Sequence, residues 1–219
     1  MTATAEHPIE ASRPRQARGP HAERSAAMRG RLLEAAVACL FELGYAATTT
    51  QAVTDRAGVS RGAILHHFPT KVDLMVAVAE YAADHQNRSV RAYLEKGPPG
   101  MPLYLALTEA TWAVIIQPPA TALLEVMMAT RADAALAQRL PAVVEAFEAR
   151  QREDVWRLAH RLGVTDRRRV DAMVRLHRAA MRGLAIELNF SRNRAECEES
   201  IDLLKHYKRL LTGELLTGV

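Results

Sequence analysis

The chain carries two cysteines, four phenylalanines and two tryptophans in 219 residues, and no long unbroken apolar run. Each shortage closes off a class of protein. Cys39 and Cys197 lie far apart, so they form neither a disulfide framework nor a zinc-ligand spacing. A thiol can act as a redox sensor, but for both positions the plainer expectation is a buried thiol packing as a small hydrophobe. Without an apolar stretch of roughly 20 residues, no helix is expected to span a membrane. An N-terminus without an apolar segment predicts no secretion signal, and the expected compartment is a reducing cytoplasm. No nucleophile motif, HExxH, phosphate-binding loop or paired metal-ligand spacing is expected in the chain. The sequence therefore points away from an enzyme, and no metal or cofactor is expected.

What is present is 49% hydrophobic and 25% charged residues, enough apolar material for one large domain or two small ones. Charge is uneven along the chain. Residues 1–71 hold 9 Lys+Arg against 6 Asp+Glu, and the remainder holds 20 against 19. The first third therefore suits an anionic partner better than the rest does.

Residues 1–22 contain three prolines and almost no large apolar groups, which predicts a disordered tail. Arg13, Arg15 and Arg18 give it charge for a nucleic-acid groove. From Ser25 onward Met28, Leu32, Ala36, Cys39, Leu40 and Leu43 recur at helical spacing, and Gly44 stops the run. Further helical runs are expected over 72–94, 102–117, 119–131, 133–162, 166–190 and 195–216, with Pro141 starting or kinking a helix. No segment alternates as a strand does. The expected fold is all-α, with about nine helices and no internal repeat. Its expected division is a tail (1–22), a DNA-binding domain (23–71) and a helical regulatory and dimerisation domain (72–219).

The stretch TTTQAVTDRAGVSRGAILHHFPTK (48–71) is the most informative. Thr50 is placed to cap a short helix over 51–57. Gly58 takes a sharp turn that needs a positive φ. Val59 fills the helix crossing, and Ser60 caps a second short helix over 61–67, with Ile64 inward. Two short helices around a glycine turn make a helix-turn-helix. Its second helix is then the candidate for the DNA major groove, led by Ser60, Arg61, Gly62 and Ala63. Arg61 has the forked donors that bind guanine O6 and N7. Gly62 and Ala63 lack the bulk to hold the helix away from DNA. Lys71, at the head of the next helix, is placed for a backbone phosphate.

The segment from Arg31 to Leu74 resembles the DNA-binding domain of the TetR family of transcriptional regulators. The matching residues are Leu40, Phe41, Gly44, Tyr45, Thr49, Thr50, Ala57, Gly58, Val59, Ser60, Gly62, His67, Phe68, Lys71 and Leu74. The resemblance covers about a fifth of the chain. It implies that Thr49, Thr50 and His66 also face DNA, while His67 packs beside Phe68. Two positions depart from the family. Leu65 stands where a phosphate-touching tyrosine is usual, so that contact is lost or passes to His66. Thr54 replaces the usual alanine, and its hydroxyl needs a partner.

One such head reads half a site, so a homodimer surface is expected. Val170, Val174, His177, Met181, Leu184 and Leu188 form one stripe; Ile201, Leu204, Tyr207, Leu211 and Leu215 form another. Together these two helices suit a four-helix bundle between chains, as the resemblance also implies. The same stripes suit burial against the chain's own core, and both readings stand open at this point. The resemblance further implies a ligand pocket in the central helices, with Trp112, Ile116, Met127, Met128, Phe147, Trp156, Met173 and His177 as candidate lining. The expected function is a repressor released from a palindromic operator by a small apolar or amphipathic ligand, with coupling through Tyr81 and its helix. A ligand-dependent activator or corepressor-type regulator on the same fold stays open, as does a non-specific architectural DNA-binding protein.

Overall fold

The computed structural model describes residues 19–95, 97–189 and 194–217. Among these are nine helices and no strand: α1 Pro20–Ala47, α2 Thr50–Ala57, α3 Arg61–His67, α4 Lys71–Leu94, α5 Met101–Ile115, α6 Pro118–Ala129, α7 Ala134–Arg161, α8 Arg167–Glu187 and α9 Arg194–Thr217. Most of the expected tail, with Arg13, Arg15 and Arg18, lies outside the described residues. Its far boundary moves, because α1 already begins at Pro20. Proline suits the first helical position, where its missing N–H costs no bond.

Local chemistry sets most of the helix ends. Gly44 leaves helical geometry at φ 73° and ψ 176°, which ends the regular part of α1. The cap of α2 is Thr49, not Thr50: Thr49 is extended and its hydroxyl accepts from the Ala52 N–H at 3.0 Å, while Thr50 is already helical. Gly58 is left-handed at φ 62°, ψ 43°, as the turn demands. Ser60 accepts from the Ala63 N–H and starts α3. Thr70 and Asp73 form a reciprocal capping box that starts α4. Asp133 caps α7 through the Leu136 N–H at 3.0 Å. Pro141 therefore lies inside α7 rather than at its start.

The largest apolar core joins α1 to α4 with α6 and α7. Leu32, Leu40, Val53, Ile64, Phe68 and Leu74 of the N-terminal helices are buried with Leu123, Val126, Leu136 and Phe147. Thr54 is buried too, and its hydroxyl finds the partner it needs in the Gln51 carbonyl at 2.8 Å. A second core gathers Tyr104, Ala159, Val164, Val170 and Met173; a third gathers Trp112, Ile115, Met181, Cys197 and Ile201. Cys39 and Cys197 are buried, and burial pushes both thiols up from their usual range, so neither is a reactive thiolate. Among the described residues no single helix is long and apolar enough to cross a membrane.

Candidate nucleic-acid interface and cavity

The helix-turn-helix is braced from behind. Arg31 of α1 donates to the Ala57 carbonyl at 2.7 Å, holding the end of α2. Arg56 of α2 pairs with Glu42 of α1. Val53 and Ile64 are fully buried between the helices, and the Arg29 guanidinium lies 5.0 Å from the Phe68 ring centre. With its inner face fixed, α3 presents Arg61, Gly62, Leu65 and His66 outward, with Ala63 half-buried. Ser60 and Thr49 are exposed and Thr50 is half-buried, all beside that face. Leu65 is 45% exposed on the same face, an apolar group where a hydrogen-bonding one would serve a phosphate. His67 sits half-buried between His66 and Phe68, and burial first, then the His66 and Arg29 charges, lower its pKa.

Against the expectation of no nucleophile motif, the run Gly58–Val59–Ser60–Arg61–Gly62 does spell the nucleophile turn of some hydrolases. Here it joins two helices rather than a strand and a helix, and the Ser60 hydroxyl is occupied as a cap. It carries no acyl-transfer chemistry.

Lys71 departs from its expected position at the DNA. Its ammonium donates to the Tyr45 carbonyl at 2.9 Å and lies 4.2 Å from the Tyr45 ring centre. Burial lowers its pKa. The ammonium is therefore used inside the head and is not extended toward a phosphate. Around it runs a polar seam between the head and the central helices. The Tyr45 N–H donates to Glu125 at 3.0 Å, its hydroxyl donates to Asp133 at 2.7 Å, and Arg139 pairs with Asp73 at 2.6 Å. The Leu136 N–H, then the Tyr45 hydroxyl, hold the Asp133 carboxyl below its usual range; Thr70, then Arg139, do the same for Asp73. None of this seam was visible at the sequence level, because its partners lie 66 to 88 residues apart. Tyr81, expected to carry the coupling, is half-buried against the apolar core.

The principal cavity, about 510 Å³, lies among α4, α5, α7, α8 and α9. Of the expected lining, Phe147, Met173 and His177 are present. Trp112 and Ile116 instead pack in the third core with α8 and α9. Met127 sides with the first core, and Met128 is 53% exposed. Trp156 packs in the second core, stacked on His160 with Arg167 against its face. Helical spacing marks apolar residues as buried without saying against what, so core and cavity could not be told apart. Of the polar lining, helical spacing points to His177 alone. Gln86, Thr108, Arg178 and Lys208 reach the cavity from four helices.

The expected dimer residues also shift. Val170, Met181 and Ile201 are buried in the chain's own cores. Val174, Leu184, Leu188, Leu204 and Leu211 pack half-buried against those cores. Only Tyr207 of that set is freely exposed, at 56%. A second apolar face runs beside the first. It has Leu176, Ala179, Gly183 and Ile186 on α8, and Leu203, Tyr207 and Leu210 on α9. Both faces have helical spacing, and the inward one is the more continuous, which is why periodicity selected it.

Comparison with known proteins accords with the geometry. Residues 32–78, spanning the helix-turn-helix and the start of α4, match the family described as "Bacterial regulatory proteins, tetR family". The chain is 33% identical over 142 residues to the HTH-type transcriptional regulator CymR of Pseudomonas putida, covering 64% of this chain and 68% of that one. It is 43% identical over 51 residues to the HTH-type transcriptional repressor AcnR of Corynebacterium diphtheriae, covering 23% and 27%. In fold it is similar to the crystal structure of a transcriptional regulator from Rhodococcus sp. Rha1, with TM-score 0.63 and 19% identity over 87% of this chain and 96% of that one. A braced helix-turn-helix with an exposed arginine-led second helix, joined to an all-helical body of this shape, places the chain in the tetR family of bacterial regulatory proteins, as a DNA-binding transcriptional regulator.

Proposed function

We propose that the protein is a homodimeric repressor that leaves a palindromic operator when a small amphipathic ligand fills the cavity among α4, α5, α7, α8 and α9. The observation that carries this reading is the reach of α4. Its first turn holds Lys71 and Asp73 in the polar seam behind the reading head. Its last turns, from Gln86 to Leu94, line the cavity. A helix of 24 residues is about 36 Å long, so one rigid element touches both places. A ligand that shifts the far end of α4 moves the near end, and with it the head. Differential affinity for the two arrangements then sets the DNA-bound population.

In this reading residues 23–71 are the DNA-reading unit and residues 72–219 the regulatory and dimerising unit. Arg61 reads base edges; Gly62 and Ala63 let α3 come close; Thr49, Thr50, Ser60 and His66 contact the phosphates. Lys71 supports the head from within. The dimer forms on the exposed face of α8 and α9, where Ala179 and Gly183 allow close helix approach.

The test is selection of DNA from a random pool, followed by affinity measurements with Arg61→Ala. A palindromic consensus is expected. Arg61→Ala should cost about 1–3 kcal/mol of discrimination at the guanine it reads. Binding without a consensus, indifferent to Arg61, would sink the reading. Tighter operator binding when ligand is present would keep the fold and make the protein a corepressor-type regulator.

A further inference from the structure

Gln86 of α4 is a buried polar side chain of the cavity at 8% exposure, and three more are closed off from bulk solvent together: Lys208 at 3%, Thr108 at 2% and His177 at 9%. These three meet where α5, α8 and α9 converge. Thr108 lies one turn beyond Tyr104, whose carbonyl accepts from the Lys208 ammonium. The His177 ring reaches the Leu204 carbonyl, one turn before Lys208. None of the three is well served by the protein alone. An ammonium has three donors, and among the described residues Lys208 has one carbonyl, the Tyr104 ring face at 4.1 Å, and no carboxylate. The Thr108 hydroxyl is buried with no partner. The two ring nitrogens of His177 each lie 3.0 Å from a carbonyl oxygen, yet a neutral imidazole has one N–H to give.

The surroundings share the same sign. Seven cationic side chains line the cavity against two carboxylates, those of Glu95 and Asp154. Arg178 and Arg182 share Glu148, and one nitrogen of the Arg178 guanidinium is buried without a partner. Arg91, Arg150 and Arg157 stand exposed around the cavity, Arg150 at 4.0 Å from Asp84 and Arg157 paired with Asp154. Val90, Leu94, Leu107, Leu158 and Phe147 supply an apolar wall.

We propose that the cavity takes an organic monoanion, a carboxylate on an apolar body, with its charged end on Lys208, Thr108 and His177. The carboxylate oxygens accept from the ammonium and the threonine hydroxyl, and the negative charge offsets a buried cation that otherwise lacks one. Burial pushes the Lys208 ammonium down to about 7, and burial together with Lys208 lowers His177; an anion beside both favours their charged forms. The cationic excess of the lining, seven against two, favours an anion at the opening. This inference rests on the reading of the cavity as the effector site.

The test uses the full-length protein and linear carboxylates from hexanoate to hexadecanoate, each matched with the alcohol and amine of equal length. Displacement of the uncharged fluorophore N-phenyl-1-naphthylamine reports occupancy. The carboxylates are expected to bind about tenfold or more tightly than the matched alcohols. Lys208→Met should remove that preference and leave alcohol binding in place. Thr108→Val, a nearly isosteric change, should reduce the preference several-fold and gives a second reading should Lys208→Met fold poorly. Equal or better binding of alcohols or amines, no displacement by any acid, or an acid preference that survives both variants would overturn the proposal. Operator affinity measured alongside separates the two ideas. Release by alcohols or amines alone leaves ligand control standing and removes the anion site. Lys208-dependent acid binding with unchanged operator affinity does the reverse.

Discussion

Lys208 shows how burial turns a common side chain into an uncommon one. Its folded pKa of about 7 lies below the unfolded value of roughly 10.4. For a lysine shifted this way the sign runs against stability. Below about pH 7 the folded chain holds the ammonium at full cost. Between about 7 and 10.4 the unfolded chain binds more protons, so this group's cost fades as pH rises. Lys208→Met is therefore expected to melt above the wild type at pH 6. An unpaired buried charge costs at least ~1 kcal/mol, or roughly 2–4 °C for a chain of this length. The gap should close toward pH 10, and melting curves at the two pH values check it. A gap that grew with pH would mean that Lys208 is not held as an uncompensated cation. Little of this was legible beforehand: Lys208 sits in a helix rich in charged residues, and only the packing of α5 and α8 onto α9 takes it out of water.

Between elements, the glycine turn and the polar seam make separate demands. Gly58 at φ 62° has room for a Cβ, whose nearest neighbour would be an Arg31 nitrogen at 3.9 Å. The cost of Gly58→Ala is thus one of backbone conformation, about 1–2 kcal/mol. Thermal unfolding should show a loss of roughly 2–8 °C; an unchanged midpoint would contradict the left-handed turn. This position was readable in advance, because the constraint is local. The seam was not. Tyr45→Phe removes the donor to Asp133 while keeping the ring over Lys71. If the seam carries the coupling, ligand binding should persist while ligand-driven operator release weakens. Titrating ligand against operator complex for both proteins decides it, and identical release curves would move the coupling into the apolar contacts of α4 with α6.

One exposed face of α8 and α9 bears on the assembly. Leu176 is 65% exposed and Leu203, Tyr207 and Leu210 are each about half exposed, a contiguous pattern that a lone chain leaves in water. Gly183 lies in it, and a Cβ there meets nothing within 4 Å in the single chain. Gly183→Arg should therefore fold normally yet block close approach between copies. Sedimentation is expected to show a monomer with native helicity and without the paired operator complex, since one head reads half a site. A dimer of undiminished affinity would place the interface elsewhere.

Helix number, the glycine turn, the cap at Ser60 and the break at Gly44 all follow from residues within a few positions of one another. Such features are settled by backbone geometry and local hydrogen bonds, and the sequence carries them directly. The one-residue shift of the α2 cap from Thr50 to Thr49 is the size of error that adjacent threonines invite. Which apolar stripe of α8 faces inward, which aromatic residues are core rather than cavity, and where Lys71 and Lys208 point depend on partners up to 104 residues away. Helical periodicity marks a face as apolar but is silent on what covers it, and a lysine looks solvated until distant helices close over it. The fold of this regulator is thus written in local spacing, while its cavity, its polar seam and its free surface exist only once the helices pack.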